Sequence, residues 1–246
     1  MPRIFVIGGP NGAGKTTIAG GLLPGILECD EYVNADAIAK ALSPFETDRA
    51  AYRAGRVMLK MIHDLSDRRR DFAFETTMAS RSFVPFLASC RDRDYEINLL
   101  FLWLRSIALA QRRVAKRVRG GGHGIPSEVI RRRYKSGISN FLNLYMPLAD
   151  SWYVYDNSGT TTEPVARRIR GRKDPFASSD SVEQDCCVSP MNPKSNHDLS
   201  KRIDLGIRLG VAKALEAHRK AGEKVAIWRD GRVVDVLPPR QRLKKA

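Results

Sequence analysis

Short apolar runs recur along the chain and are separated by longer amphipathic stretches. The runs lie at 3–7, 32–35, 72–74, 97–104 and 152–155. The first run is apolar almost throughout, which is typical of a strand that is buried on both faces. The run at 97–104 has the strongest strand character in the chain. These runs predict five strands, and the one at 32–35 is short.

The stretches between the runs carry apolar residues at helical spacing. Over 48–70, for example, apolar side chains recur every three or four residues. The predicted helices are 15–23, 36–42, 48–70, 81–91, 106–118, 127–133 and 164–170. Strands that alternate with helices predict a parallel sheet with right-handed crossovers. The expected fold class is an α/β three-layer sandwich with a parallel sheet of about five strands.

The composition changes after the last of these helices. Residues 172–200 are dominated by Ser, Asp, Pro and Asn without apolar periodicity, which predicts a linker. An amphipathic helix over 201–220 and a β-hairpin with its turn at 229–232 are predicted to follow. The chain therefore divides into a domain over 1–171, the linker, and a small module over 201–246. A helix and a hairpin of this size are expected to need a partner surface.

The turn after the first strand has the pattern G-x-x-x-x-G-K-[ST]. Between a strand and a helix this pattern indicates a phosphate-binding P-loop, so the fold is of the P-loop NTPase type. The backbone N–H groups of such a loop and the positive end of the next helix bind phosphates. Lys15 is predicted to reach the same phosphates, and the Thr16 hydroxyl to ligate Mg²⁺. The predicted nucleotide-binding residues are Gly9, Pro10, Asn11, Gly12, Ala13, Gly14, Lys15, Thr16 and Thr17.

Two acidic residues follow predicted strands. Asp36 and Glu75 both fall at strand carboxyl ends, where ligands of parallel sheets bind. Asp36 could accept the proton of an attacking hydroxyl, or it could cap the following helix. Glu75 could bind Mg²⁺ through water or hold substrate hydroxyls with Thr77, or its hydrogen bonds could be purely structural. We predict substrate-binding roles for Asp36, Glu75 and Thr77.

Two arginines on one predicted helix are candidates for phosphoryl transfer. Arg113 and Arg117 are four residues apart and therefore share a helix face. Guanidinium groups directed at a transferring phosphoryl group would neutralise its growing charge. The alternative is a solvated basic face, which is the preferred interpretation for Arg112, Lys116 and 131–133. We predict that Arg113 and Arg117 are catalytic, together with Lys15 and Asp36.

The overall composition and charge say less about the class of protein than the P-loop and strand-end motifs do. The formal net charge is +15, from 42 Lys and Arg against 27 Asp and Glu. That excess fits nucleic acid, an anionic membrane surface or an acidic substrate, and the arginines cluster without the interleaved aromatics of a nucleic-acid surface. The four cysteines lack metal-ligand spacing, and the run at 97–104 is too short to cross a bilayer. With no secretory leader before the first strand, a cytoplasmic location without membrane attachment is expected.

An ordered set of short sequences runs through the first 170 residues. The set is the P-loop segment 8–17, Asn34-Ala35-Asp36, Ala54-Gly55-Arg56, Phe74-Glu75-Thr76-Thr77, the Arg113 and Arg117 pair, Gly121-Gly122-His123-Gly124-Ile125-Pro126, and Asp156-Asn157-Ser158. Together these resemble the zeta toxin family of P-loop kinases, in its chromosomal zeta-toxin-like branch.

The resemblance implies a kinase of toxin–antitoxin type that uses ATP or GTP with Mg²⁺. Similar enzymes phosphorylate UDP-N-acetylglucosamine at its 3′-hydroxyl and so poison peptidoglycan synthesis. Asp36 matches the family's general base, and Lys15 and Thr16 match its phosphate and Mg²⁺ ligands. Glu75 and Thr77 match positions that bind the sugar nucleotide, and Arg113 and Arg117 match its arginine pair.

The glycine-rich loop that contains His123 departs from the better known zeta toxins. We interpret His123 as structural or facing the substrate, because it lacks the companion residues of a metal site. The departure leaves the sugar-nucleotide acceptor open for this branch.

The segment from Ala214 to Val236 resembles small proteins found alongside this branch. It carries their H-x-x-x-G and W-R-D-G patterns at His218, Gly222 and 228–231. Our hypothesis is a tethered inhibitory or antitoxin-like module, because a tether makes even a weak inhibitor effective in cis. The alternative is a stabilising appendage or a dimer contact.

Two further interpretations remain beside a small-molecule kinase acting on a sugar nucleotide. One is a nucleic-acid-associated P-loop ATPase that binds through its basic surface, although nucleic acid is the weaker expectation. The other is a kinase of another hydroxylated metabolite, which would use the same site residues. Salt-dependent binding to DNA or RNA would favour the first of these.

Overall fold

The computed structural model describes residues 1–43, 47–122, 124–170 and 193–240. Their main sheet consists of β1 (Arg3–Gly8), β2 (Tyr32–Val33), β3 (Phe72–Thr76), β4 (Glu96–Trp103), β5 (Ser151–Asp156) and β6 (Glu163–Arg168). The strand order is β2-β3-β1-β4-β5-β6, with β1 to β5 parallel and β6 antiparallel to β5. The five strands that the apolar runs predict are therefore all present in this sheet.

Helices cover both faces of this sheet. They are α1 (Lys15–Leu22), α2 (Ala35–Leu42), α3 (Thr47–Asp67), α4 (Phe83–Asp92), α5 (Ile107–Arg119), α6 (Ser127–Asn140) and α7 (Pro193–Lys220). Short helical turns at Leu23–Leu27 and at Phe141–Tyr145 and Met146–Leu148 extend α1 and α6. A separate antiparallel hairpin, β7 (Val225–Arg229) and β8 (Arg232–Val236), follows α7.

Alternate side chains of β1 point to opposite faces of the sheet and enter two different core clusters. Ile4 and Val6 are buried in a cluster with residues of α3, α4 and the turn after α6. Phe5 and Ile7 are buried in a second cluster with residues of α1, α5 and α7. Successive side chains of a strand point to opposite faces, so a continuous apolar run fills both clusters. The predicted three-layer α/β sandwich is confirmed.

Local sequence fixes where two helices begin at the carboxyl edge of the sheet. The Asn34 side chain accepts a hydrogen bond from the Ala37 N–H (3.0 Å) and caps α2. The Ser106 hydroxyl accepts one from the Leu109 N–H (3.1 Å) and caps α5. Asn and Ser are favoured caps because a short side chain can satisfy an N–H group that lacks a partner within the helix. Both helices therefore start at the edge where β2 and β4 end.

The helix predicted over 164–170 is wrong. Residues Glu163–Arg168 form β6, which pairs with β5 and makes the sheet six-stranded rather than five-stranded. Pro164 and the neighbouring arginines suit an edge strand, because proline cannot donate to a second neighbour and charges discourage further pairing. An edge strand needs no continuous apolar run, and for that reason the hydrophobic pattern did not reveal it.

The predicted C-terminal module is built into the sandwich. Ile203 and Ile207 of α7 are buried beside Phe5 and Tyr153 of the sheet. The helix lies close against α1, since a Cβ atom built on Gly21 would sit 3.2 Å from the Cα of Gly210. The helix thus covers one face of the sheet, which provides the partner surface expected for it.

The boundaries of this module differ from the prediction. The helix expected over 201–220 begins at Pro193, so part of the predicted linker 172–200 is helical. The remaining linker residues, 172–192, lie outside the described residues. The helix predicted over 127–133 also continues further, to Asn140. Within the part of the chain that is described, no helix is long and apolar enough to span a membrane.

The packing of α7 generates a stability prediction. Ile207 is 0% exposed, whereas Leu205 on the same helix is 44% exposed. We expect Ile207→Ala to lower the free energy of unfolding by about 2–5 kcal/mol, because it leaves a cavity in the core. The matched control Leu205→Ala should cost less than about 0.5 kcal/mol. Urea unfolding followed by circular dichroism measures both, and equal effects would contradict the docking of α7.

Candidate active site

The P-loop follows β1 and packs closely against the backbone of β4. Gly9 has a φ of 141°, and a Cβ atom there would lie 2.4 Å from the Leu102 carbonyl oxygen. Gly14 has a φ of 88° immediately before α1. Both conformations are ones that glycine alone adopts readily. The loop therefore brings its backbone close to β4 and opens at the N-terminus of α1, where anions bind.

Lys15 lies inside this loop. Its Nζ donates to the carbonyl oxygens of Gly9 (3.0 Å) and Pro10 (3.1 Å), and the residue is buried. Burial lowers the pKa of Lys15, and the nearby carboxylates of Glu75 and Asp36 oppose that shift only in part. A phosphate in the loop would supply the counter-charge that the buried ammonium group lacks. The predicted phosphate-binding lysine is thus placed at the loop's centre.

Thr16 and Glu75 meet at the mouth of the loop. The Thr16 hydroxyl donates to Oε2 of Glu75 (2.8 Å), and the Tyr32 hydroxyl donates to the same oxygen (2.5 Å). Hydroxyl and carboxylate oxygens are the ligands that Mg²⁺ takes in phosphate sites, so these residues fit the expected ion. Tyr32 was missed by sequence reasoning, and its only signal there was its place in the short run at 32–35.

Asp36 lies in the first turn of α2 and is exposed to the cleft. The alternative interpretation of Asp36 as the helix cap is wrong, because Asn34 caps α2. Asp36 is close enough to Lys15 to raise its pKa by charge attraction. The candidate base and the candidate phosphate ligand therefore share one cleft.

Thr77 follows β3 on a segment that α6 holds in place. A Cβ atom on Gly137 of α6 would lie 2.4 Å from the Thr77 carbonyl oxygen, so only glycine allows this contact. The Asn140 amide donates to the carbonyl oxygens of Met78 (2.9 Å) and Ala79 (3.1 Å). These two residues of α6 were not anticipated as supports of the site.

Arg113 packs directly against the P-loop. Its Nε donates to the Ala226 carbonyl oxygen (2.9 Å) of β7, and its Nη atoms donate to the carbonyl oxygens of Gly12 (3.4 Å) and Ser158 (3.5 Å). Burial lowers the pKa of Arg113 to about 10. Its guanidinium group is therefore held by carbonyl oxygens, while Arg117 lines the cleft one turn further along α5.

A further contact closes the loop from the side of β5. The Asn157 amide donates to the Ala13 carbonyl oxygen (2.8 Å) and accepts from the Thr162 hydroxyl (2.8 Å). Asp156, one residue earlier, pairs with Arg105 (2.5 Å). The polar residues after β5 therefore support the P-loop, a role that their sequence pattern alone did not assign.

One cleft of about 1760 Å³ connects these groups. Single small-molecule ligands occupy pockets of about 300–1,000 Å³, so the cleft has room for a nucleotide and a second substrate. On one side it is lined by α2, α3 and α6, and on the other by α5, α7 and the hairpin. The predicted residues Lys15, Thr16, Thr17, Asp36, Glu75, Thr77, Arg113 and Arg117 all line it. The predicted residue His123 lies outside the described residues.

Comparison with known proteins assigns the chain to a family. A family model described as AAA domain matches residues 4–142, more than half of the chain. A protein of Haemophilus influenzae, described as uncharacterized, is 23% identical over 126 residues. That match covers 51% of this chain and 88% of the relative.

Solved structures share the fold at low sequence identity. A chain of the AvrRxo1-ORF1:ORF2 complex with ATP has a TM-score of 0.60 and 13% identity, over 87% of this chain and 80% of that chain. A chain of the PezAT chromosomal toxin–antitoxin system of Streptococcus pneumoniae has a TM-score of 0.52 and 11% identity, over 86% and 88%. Similarity at these identities establishes the fold.

The position of Lys15 generates a binding prediction. A hydrogen bond to a charged group contributes about 1.5–3 kcal/mol, so Lys15→Met should weaken ATP binding about 10–100-fold. Lys40→Met is the matched control, since Lys40 lines the same cleft from the exposed end of α2. Isothermal titration calorimetry measures both. Equal losses in the two variants would mean that net charge, rather than the P-loop contact, governs binding.

Proposed function

This chain belongs to the AAA domain family, and we propose that it is a P-loop kinase of the zeta-toxin type. Its proposed reaction transfers the γ-phosphoryl group of ATP or GTP to a hydroxyl of a sugar nucleotide such as UDP-N-acetylglucosamine. The observation that carries the proposal is the exposed carboxylate of Asp36 in one cleft with Lys15 and with the Thr16–Glu75 pair. A base, a phosphate-binding lysine and candidate metal ligands are the parts that phosphoryl transfer to a hydroxyl requires.

Each residue has a role that its position supports. The loop N–H groups and Lys15 would bind the β- and γ-phosphates, with Thr17 beside them at the start of α1. Thr16 and Glu75 would hold Mg²⁺, which neutralises charge on the phosphate oxygens. Asp36 would orient the acceptor hydroxyl and take its proton. Arg117 and, once released from its carbonyl partners, Arg113 would stabilise charge on the transferred group.

The charge of the cleft favours an anionic acceptor. Four basic residues line the side of the cleft that is formed by α2, α3 and α6, beyond the P-loop. They are Lys40, Arg56, Arg132 and Arg133. Glu75 and Asp36 are the carboxylates among the lining residues of that side. One guanidinium group can donate two parallel hydrogen bonds to the oxygens of a phosphate. This basic side of the cleft therefore suits a diphosphate better than a neutral metabolite. A nucleotide sugar carries both the diphosphate and the hydroxyl.

Two structural relatives support this proposal. The complex of AvrRxo1-ORF1 and ORF2 is described with ATP, which supports a nucleotide in the matching fold. PezAT is described as a toxin–antitoxin system, which supports a toxic kinase under restraint.

The proposed base generates a kinetic prediction. Asp36→Asn should lower the rate of phosphate transfer to UDP-N-acetylglucosamine by about 100–10,000-fold, because general bases contribute that much. Binding of ATP should persist, since the P-loop is unchanged. Asp92→Asn is the control, because Asp92 is exposed on α4 and does not line the cleft. Release of ADP in a coupled assay measures the rate. Full activity in Asp36→Asn would remove the proposed base.

We also propose that the β7–β8 hairpin restrains the kinase. Three contacts attach the hairpin to the P-loop side of the cleft. The Ala226 carbonyl oxygen accepts from Arg113, and the Trp228 N–H donates to the Ser158 carbonyl oxygen (2.8 Å). Asp235 forms an ion pair with Arg112 (2.5 Å). The restraint is assigned to the hairpin because α7 belongs to the core. A tethered contact has a high effective concentration and needs little intrinsic affinity.

This restraint is tested by removing the hairpin alone. A chain that ends after Ala221 keeps α7, and a chain that ends after Arg240 keeps both the helix and the hairpin. We expect transfer by the shorter chain to exceed that of the full chain about 5-fold or more, within the usual range of coupling between sites. The longer chain should match the full chain. Unchanged or slower transfer by a folded shorter chain would make the hairpin a stabilising element instead.

A further inference from the structure

Three elements meet at the oxygen atoms of Thr16 and Glu75. Oε2 of Glu75, from β3, accepts the hydroxyl of Thr16, from α1, and the hydroxyl of Tyr32, from β2. The Asn34 amide donates to the Tyr32 hydroxyl oxygen (3.2 Å) and lies 3.5 Å from the Thr16 hydroxyl oxygen. These four polar side chains form a closed group at the mouth of the P-loop.

From this arrangement we propose that Tyr32 is a positioning residue for Mg²⁺-dependent nucleotide binding and acts through Glu75. The inference rests on the proposed nucleotide site. Tyr32 is not among the residues that line the cleft. Its hydroxyl fixes one oxygen of the carboxylate whose neighbour, Thr16, would bind the ion.

The direction of the hydrogen bonds to Glu75 explains how the Tyr32 hydroxyl can affect the binding of a metal ion. The Thr16 hydroxyl gives its proton to Glu75 and accepts from the Asn34 amide, which leaves one lone pair of its oxygen to face a cation in the cleft. Glu75 can accept two donors on Oε2 because a carboxylate oxygen has two lone-pair sites. Two donors on one oxygen restrict rotation of the carboxylate and set its other oxygen. Partners of this kind orient the groups that bind a metal.

Tyr32 is suited to donate rather than to accept. Its hydroxyl lies 2.5 Å from Oε2 of Glu75, and a carboxylate oxygen can only accept, so the phenol is the donor of this hydrogen bond. The Asn34 amide approaches the phenol oxygen from another direction, which leaves the hydroxyl proton for Glu75. Asn34 also caps α2, the helix that carries Asp36. The same group therefore connects the metal-binding corner to the candidate base.

A purely structural role of Tyr32 can be separated from this one. Its backbone pairs with Ala73 in the short strand β2, and its ring packs on the core cluster that contains α1. Tyr32→Phe keeps the strand pairing and the ring and removes the hydroxyl alone. A structural role would change the melting temperature, whereas a positioning role would change the dependence of nucleotide binding on Mg²⁺.

The test is calorimetric binding of a non-hydrolysable ATP analogue to the full chain across a Mg²⁺ titration. Loss of an outer partner of a metal ligand costs about 10–100-fold in metal affinity, so Tyr32→Phe should shift the Mg²⁺ dependence by that factor. Binding of the analogue in EDTA should stay within about twofold of the unmodified protein. Tyr155→Phe is the matched control, because it removes a phenol–carboxylate bond to Asp204 between β5 and α7, away from the cleft.

A double variant shows whether Tyr32 acts through Glu75. In a Glu75→Gln background, adding Tyr32→Phe should change the Mg²⁺ dependence by less than about twofold, since residues in one network are not additive. A full additional shift would overturn the inference. An unshifted Mg²⁺ dependence in Tyr32→Phe would overturn it as well, whatever happens to the melting temperature. If the unmodified protein binds no analogue at any Mg²⁺ concentration, the proposed nucleotide site fails and the inference fails with it.

Discussion

The buried ammonium group of Lys15, which contacts no carboxylate among the described residues, is the constraint around which the cleft is built. Lys15 donates to two carbonyl oxygens of its own loop, and burial lowers its pKa. Such a group is costly unless an anion completes its surroundings. The loop, the first helix and the carboxylates of Asp36 and Glu75 are arranged around that position. A phosphate chain would supply the counter-charge of the lysine at the N-terminus of α1, and for this reason we propose that the cleft is a nucleotide site.

The sheet explains how this position is held. β1 buries side chains on both faces, so it needs a helical layer on each side. One layer includes α7, from the segment that sequence composition separates from the rest of the chain. The same segment then continues into a hairpin that touches Arg113. The structure gives α7 a place in the core, and we propose the regulatory role for the hairpin alone, where the sequence suggested a choice between the two roles.

The sequence predicted the parts of the fold that depend on continuous apolar runs and on glycine-rich turns. The five parallel strands, the P-loop and the placement of Asp36 and Glu75 at strand ends belong to this class. β6 was missed because an edge strand with Pro164 needs no apolar run. The contacts of Arg113 with Ala226 and of Tyr32 with Glu75 were also missed, because they join residues 113 and 43 positions apart. Such contacts depend on tertiary packing, which local periodicity does not encode.

In the reaction that we propose, the γ-phosphoryl group moves to a hydroxyl of a second substrate. Phosphorus NMR of a reaction with ATP, Mg²⁺ and UDP-N-acetylglucosamine follows that group directly. We expect ADP together with a new phosphate monoester signal coupled to a sugar proton, from the full chain and more strongly from the chain that lacks the hairpin. Formation of ADP and inorganic phosphate alone, with the sugar nucleotide unchanged, would contradict it and would indicate an ATPase.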